Sequence, residues 1–274
     1  KPYGFIPPSA IALAEAPRTH IMHTVDNGMQ KRSALFPKGL EDAGFGRPEF
    51  KQRPDDPSHI IRIAMFRRRE LAAQKDIHQT NAGILQELEQ YGIAVPPTAV
   101  HWSTASPVRF IPIAFPAAYI ETDRITGQLL PDWVKSNPTE GAQVCDDLYS
   151  RIGSYYLDKV KSGAPLQGDL VAANFIYGTR PGEADPRPYF FDVDPRNTSF
   201  RQPAADSDQE DTHEHALTRV YELTNMITQA ERDTGETLSA ARDKAIELVL
   251  SLSAYNTDSA IMLAKRRLGL DTLD

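Results

Sequence analysis

Residues 166–192 hold the side chains whose types and spacing suit chemistry. The run Leu166-Gln167-Gly168-Asp169-Leu170-Val171-Ala172-Ala173-Asn174 sets a carboxylate five residues ahead of an amide. After a polar loop, Tyr189-Phe190-Phe191-Asp192-Val193-Asp194-Pro195 sets two more carboxylates behind an aromatic run. Phe175-Ile176-Tyr177 and Tyr189-Phe190-Phe191 read as two short strands of a hairpin joined by 178–188. Such a hairpin brings Asn174 and Asp192 or Asp194 to one end. The set suits phosphoryl transfer, which asks for positioning and charge rather than covalent help. One carboxylate can accept the proton of an attacking hydroxyl. A second carboxylate and an amide oxygen can hold Mg²⁺, a hard cation that prefers oxygen ligands.

Several elements must carry this loop. Asn137 before Pro138 is a good helix start, with proline at the first helical position. Val144, Leu148, Ile152, Tyr155 and Tyr156 then make one apolar stripe, and the helix should end near Gly163. Ile60–Phe66 is short and β-branched and reads as a strand. Residues 67–90 carry apolar positions at helical spacing, with Gly92 as the stop. Residues 99–102 and 109–120 read as strands. From Thr212 onward three helices are expected, the last capped by Thr257 and ending in Lys265-Arg266-Arg267 before Gly269.

The whole chain has 274 residues, 41% hydrophobic and 24% charged, with a net charge of −7. That is long enough for one large domain or two lobes. No apolar run reaches the length of a membrane span. No secretory signal is visible, so the expected location is the cytoplasm; because the chain begins at Lys1, a removed targeting segment stays open. One cysteine, Cys145, excludes an intrachain disulfide framework and a cysteine zinc site, and a buried thiol is its expected state. The acidic balance argues against nucleic acid as a partner. The 21 prolines cluster in residues 1–60, 95–140 and 165–205 and are absent after 203. The first part is therefore expected to be irregular and the tail helical.

Gly168-Asp169 and Asn174, followed by an apolar pair and Asp192, resemble the catalytic and metal loops of the protein-kinase-like fold. The closer likeness is to the aminoglycoside and choline phosphotransferase branch, with its His-Gly-Asp-x-x-x-x-Asn run and later apolar-apolar-Asp. The resemblance implies an α+β, two-lobed fold: a small β-rich N-terminal lobe with one helix, and a helical C-terminal lobe. The lobes would be 1–120, with an irregular extension over about 1–40, and 121–274. It implies ATP and Mg²⁺ as cofactors, with the nucleotide between the lobes near 116–123. Asp169 would be the catalytic base, Asn174 a metal ligand and Asp192 the main metal ligand, with Asp194 the alternative. The acceptor would be a hydroxyl of a small molecule or a protein. The likeness spans roughly residues 40–255.

The sequence also departs from that branch. Gln167 stands in place of the usual histidine. The strand that should offer a phosphate-binding lysine offers Arg62, and no carboxylate occurs within His78–Asn81, where the partner glutamate would fall. Arginine and lysine are not interchangeable, although a guanidinium can clamp phosphate. Gly44 and Gly46, within Gly39–Gly46, are the candidate phosphate loop. Two alternatives follow from these departures: a kinase-like module that only binds partners, or an enzyme of this fold transferring another group, such as AMP. Elsewhere the readings are plain. His213-Glu214-His215 reads as part of an acidic helix start, and Arg67-Arg68-Arg69 as a solvated one. No nucleophile elbow or zinc-protease motif occurs.

Overall fold

The computed structural model describes residues 23–24, 41–42, 50–105, 115–164, 166, 168–191, 209–252 and 258–270. The fold is α+β, strand-rich in its N-terminal part and helical towards its C-terminus. It divides into two compact units. Among the described residues, one gathers those up to Gln86 with those of 95–128 and 176–191; the other gathers those of 87–94 and 129–175 and those from 209 on. Among the described residues no helix is long and apolar enough to cross a membrane.

The first unit is built on a six-stranded sheet. Its strands are β1 (His23–Thr24), β2 (Glu41–Asp42), β3 (Phe50–Arg53), β4 (Asp56–Met65), β5 (Thr98–Ala105) and β6 (Phe115–Asp123), in the order β1-β5-β6-β4-β3-β2. Helix α1 (Leu71–Gln90) joins β4 to β5. Alternate residues of a strand face opposite sides. One side of β4 therefore carries Ala64, which packs with Phe66 just beyond the strand and with Val100, Ala118, Ile120 and Trp102. Helix α1 covers this side: its His78 ring lies 5.1 Å from Trp102 and 6.3 Å from Phe66. His78, Asn81, Ala82, Leu85 and Leu88 are the buried stripe that fixes the helix there. The other side carries Ile61, Ile63, Ala105 and Ala117, with Tyr119 against them.

Residues 116–123, expected as the link between lobes, are instead most of β6. This strand pairs with β4 on one side and β5 on the other. Ala117, Ala118 and Ile120 are buried there. Pro116 is tolerated because it serves as an acceptor, taking the Phe66 N–H at 2.9 Å. Of the strand expected over 109–120, residues 109–114 lie outside the described residues.

A second, three-stranded sheet has the order β7-β8-β9, with β7 (Thr126–Leu129), β8 (Phe175–Thr179) and β9 (Arg187–Phe190). The short connection after Thr179 allows only a hairpin, so β8 and β9 run antiparallel. Gly127 and Gly178 let β7 and β8 cross at close range. A Cβ on either would sit far inside contact distance of the facing backbone carbonyl.

The second unit is helical: α2 (Leu130–Ser136), α3 (Pro138–Ser162), α4 (Gln209–Thr234), α5 (Ser239–Ser251) and α6 (Ser259–Leu268). Helix α3 follows Asn137 and stops at Gly163, whose φ of 67° suits a residue without a Cβ. Its buried stripe is Cys145, Leu148, Tyr149, Ile152, Tyr155 and Tyr156; Val144 is only half-buried. Each fully buried side chain of this size contributes about 1.5–3 kcal/mol. Helices α3 and α5 meet at Gly153, where a Cβ would lie 2.8 Å from Lys244 Cβ. The 87–94 segment is fastened within this unit by Lys159–Glu87 at 2.6 Å and by Tyr91 donating to Asp158 at 2.9 Å. The N-cap of α6 is Asp258, not Thr257: its carboxylate accepts the Ala260 N–H at 2.7 Å. Thr257 itself lies outside the described residues.

Candidate functional site

The loop after α3 is anchored by buried Leu166 and Leu170, on either side of Gly168-Asp169. Gly168 has φ 90°, a conformation that strains any residue with a Cβ, so glycine belongs before the aspartate. Val171 is extended and opens a 3-10 turn over Ala172–Asn174. The Asn174 N–H closes this turn on the Val171 carbonyl at 2.9 Å. The turn folds the Asn174 side chain back over Asp169. Its amide nitrogen donates to the Asp169 carbonyl at 2.8 Å and to carboxylate Oδ2 at 3.2 Å. The five-residue spacing is therefore the span of one closed loop.

The other carboxylate oxygen, Oδ1, accepts from Arg219 Nη1 of α4 at 2.9 Å. The same nitrogen donates to Glu222 at 2.5 Å. Arg219 is only 8% exposed. Burial alone would lower its affinity for a proton, but Tyr156, Glu222 and Asp169 around it hold the guanidinium above its ordinary value. Burial pushes the Glu222 carboxyl up, and Arg219 opposes that. Burial also raises the Tyr156 phenol, which stays neutral beside the guanidinium.

A carboxylate offers about four lone-pair sites. Arg219 and Asn174 occupy one on each oxygen of Asp169, which leaves one on each for a hydroxyl. The Asn174 amide nitrogen is committed to Asp169, so its carbonyl oxygen is the atom left to face a cation. An oxygen donor set of this kind fits Mg²⁺. Among the described residues no group of three His, Cys, Asp or Glu could hold a metal. Asp192 and Asp194 lie outside the described residues. Phe191, just before them, follows β9, the hairpin partner of the strand that begins directly after Asn174.

The structure thus brings Asp169 and Asn174 together. Arg62 lies in the other unit, on β4 opposite Ile120 of β6, and on the side of the sheet that α1 covers. Where the resemblance would put a helix glutamate, α1 buries His78 (4% exposed) and Asn81 (6% exposed). Neither polar atom of the Asn81 side chain has a hydrogen-bond partner among the described residues. Lys51 is a buried cation that the sequence did not single out. It sits opposite Ile61 on β3, so it faces the other side of the sheet from Arg62. Gly44 and Gly46 lie outside the described residues.

The residue that sequence reasoning missed at the site is Arg219. The stripe Leu217, Val220, Leu223 and Ile227 was legible, and Arg219 falls between its members. A cation placed on the buried side of a helix, three residues from an acid, was the available signal. No protein-family model and no curated protein matches the chain.

Proposed function

We propose that the protein is an ATP- and Mg²⁺-dependent phosphotransferase that moves the γ-phosphate of ATP to a hydroxyl. The observation that carries this reading is the closed Gly168–Asn174 loop behind the 25-residue helix α3. In it Asp169 is held through both carboxylate oxygens, by Asn174 and by Arg219. The α+β organisation, with one helix on a strand-rich N-terminal unit, supports the same reading.

In the reaction the acceptor hydroxyl oxygen attacks the γ-phosphorus. The bond from that phosphorus to the β,γ-bridging oxygen breaks, and ADP leaves with the electron pair. The hydroxyl proton passes to the Asp169 carboxylate. Arg219 keeps that carboxylate aimed and offsets the neighbouring charge of Glu222. The Asn174 carbonyl oxygen, with Asp192 or Asp194, would hold Mg²⁺, which supplies charge neutralisation of the phosphate oxygens. Arg62 is the candidate contact for the nucleotide phosphates, with Gly44 and Gly46 as the candidate phosphate loop.

One observation favours a second reading, binding without turnover. Where the resemblance would put the helix glutamate, α1 carries His78 and Asn81. Thermal denaturation with and without MgATP tests nucleotide binding, because a ligand of the folded state raises Tm by mass action. A shift that needs Mg²⁺ and shrinks in Asn174→Ala is expected. No shift at millimolar MgATP would sink the proposal. Release of pyrophosphate instead of ADP would assign the protein to nucleotidyl transfer.

A further inference from the structure

The helical unit contains a half-open cavity of about 260 Å³, lined by α2, α3, α4 and the loop residues Val171–Ala173. Those loop residues join Asp169 to Asn174, so one wall of the cavity is the candidate catalytic loop. Glu222 also lines it, and the Arg219 bound to Glu222 is the one bound to Asp169. The cavity therefore adjoins the proposed base without containing any nucleotide-phosphate ligand.

Its chemistry is uneven. Val134, Tyr149, Val171, Met226 and Ala230 give it mainly apolar walls. Polar groups come from one face of α4, among them Glu222 and Asp233. Both of these carboxylates already accept from the protein. Glu222 takes Arg219 at 2.5 Å, and Asp233 takes the Gln229 amide at 3.0 Å. Among the described residues no lysine or arginine lines the cavity. A phosphorylated or carboxylated acceptor would meet these acids without a facing cation among the described lining residues. An alcohol with an apolar body does not meet that obstacle. The volume lies just below the usual range for ligand pockets, about 300–1,000 Å³, which limits the acceptor to a small molecule.

We propose that this cavity receives the acceptor, and that the acceptor is a small alcohol with a mainly apolar body rather than a phosphorylated or carboxylated one. The inference rests on the phosphotransferase reading. The carbon skeleton packs against Val134, Tyr149 and Met226, and the hydroxyl is directed to the Asp169 end.

Ligand-observed NMR on the full chain tests it, with 2-phenylethanol and kanamycin as probes. Ala230→Leu narrows the cavity from its α4 wall. Asn225→Trp, at an exposed rim position, does so without touching the core, should the first variant fail to fold. Expected is binding of 2-phenylethanol, weakened at least fivefold in a folded variant, with the MgATP thermal shift unchanged. Equal binding to wild type and both variants overturns the inference, as does binding of kanamycin but not 2-phenylethanol. If MgATP binds and 2-phenylethanol does not, this inference alone falls. If 2-phenylethanol binds and MgATP does not, the acceptor role falls together with the phosphotransferase reading.

Discussion

Arg219 Nη1 lies 2.9 Å from Asp169 Oδ1, across 50 residues of sequence. The pair ties the loop after α3 to α4, and the 9% side-chain exposure of Arg219 makes the tie sensitive to charge loss. Removing one partner of a buried ion pair leaves the other charge uncompensated. Arg219→Leu is expected to cost about 2–4 kcal/mol, because it leaves Asp169 and Glu222 without their shared cation. Chemical denaturation measures this. The double variant Arg219→Leu/Glu222→Leu should recover part of the loss; no recovery would contradict the shared-cation account.

Asn81 offers the opposite case. Its buried amide has no hydrogen-bond partner among the described residues, and an unpaired buried amide costs about 1–3 kcal/mol. Asn81→Leu keeps the volume and removes that cost. Equilibrium unfolding should show a variant more stable by about 1 kcal/mol. A destabilised Asn81→Leu would mean that the amide carries an interaction the fold depends on.

Asp123 predicts a pH dependence in the strand-rich unit. Its carboxylate lies 2.7 Å from His59 Nε2, and Asp56 holds the other ring nitrogen at 2.6 Å. Burial pushes the Asp123 carboxyl up to about 6, although His59 pulls it down; Asp56 and Glu121 push it further up. A carboxyl raised in the folded state favours its protonated form there. Its contribution is full below the unfolded value of about 4 and is lost as pH rises through about 6. Wild type should lose on the order of 1 kcal/mol against Asp123→Asn between pH 4 and pH 6.5, as read by urea titrations. Parallel stability curves for the two proteins would contradict this.

Gly178 tests the crossing of β7 and β8. Its Cβ would collide with the Thr126 carbonyl oxygen, a backbone atom that cannot swing aside. Gly178→Ala should cost about 2 kcal/mol or more, read as a lower Tm. Unchanged stability would show that the two strands do not approach so closely.

The sequence exposed whatever depends on neighbours along the chain. Asn137-Pro138 and Gly163 mark the ends of α3 because caps are local. The hairpin of β8 and β9 was legible from two apolar triplets and a polar loop. The closed loop was legible in its spacing, since Asn174 reaches back only five residues. Arg219 was not, because its partner lies in another element. The cavity was invisible for the same reason: its walls come from four separate segments. β6 was half-read as a linker because Pro112 and Pro116 suggest interruption. A strand tolerates Pro116 when its carbonyl, and not a missing N–H, makes the bond.

The central claim is that Asp169 accepts the proton of a hydroxyl phosphorylated by ATP. Its most direct measurement is ADP formation from MgATP with an alcohol acceptor, comparing wild type with Asp169→Asn. That substitution keeps the shape and lets the amide oxygen accept from Arg219, but it removes the base. The account predicts acceptor-dependent turnover in wild type, lower by at least about 100-fold in Asp169→Asn, with the MgATP-induced Tm shift retained. Turnover unchanged in Asp169→Asn would contradict it.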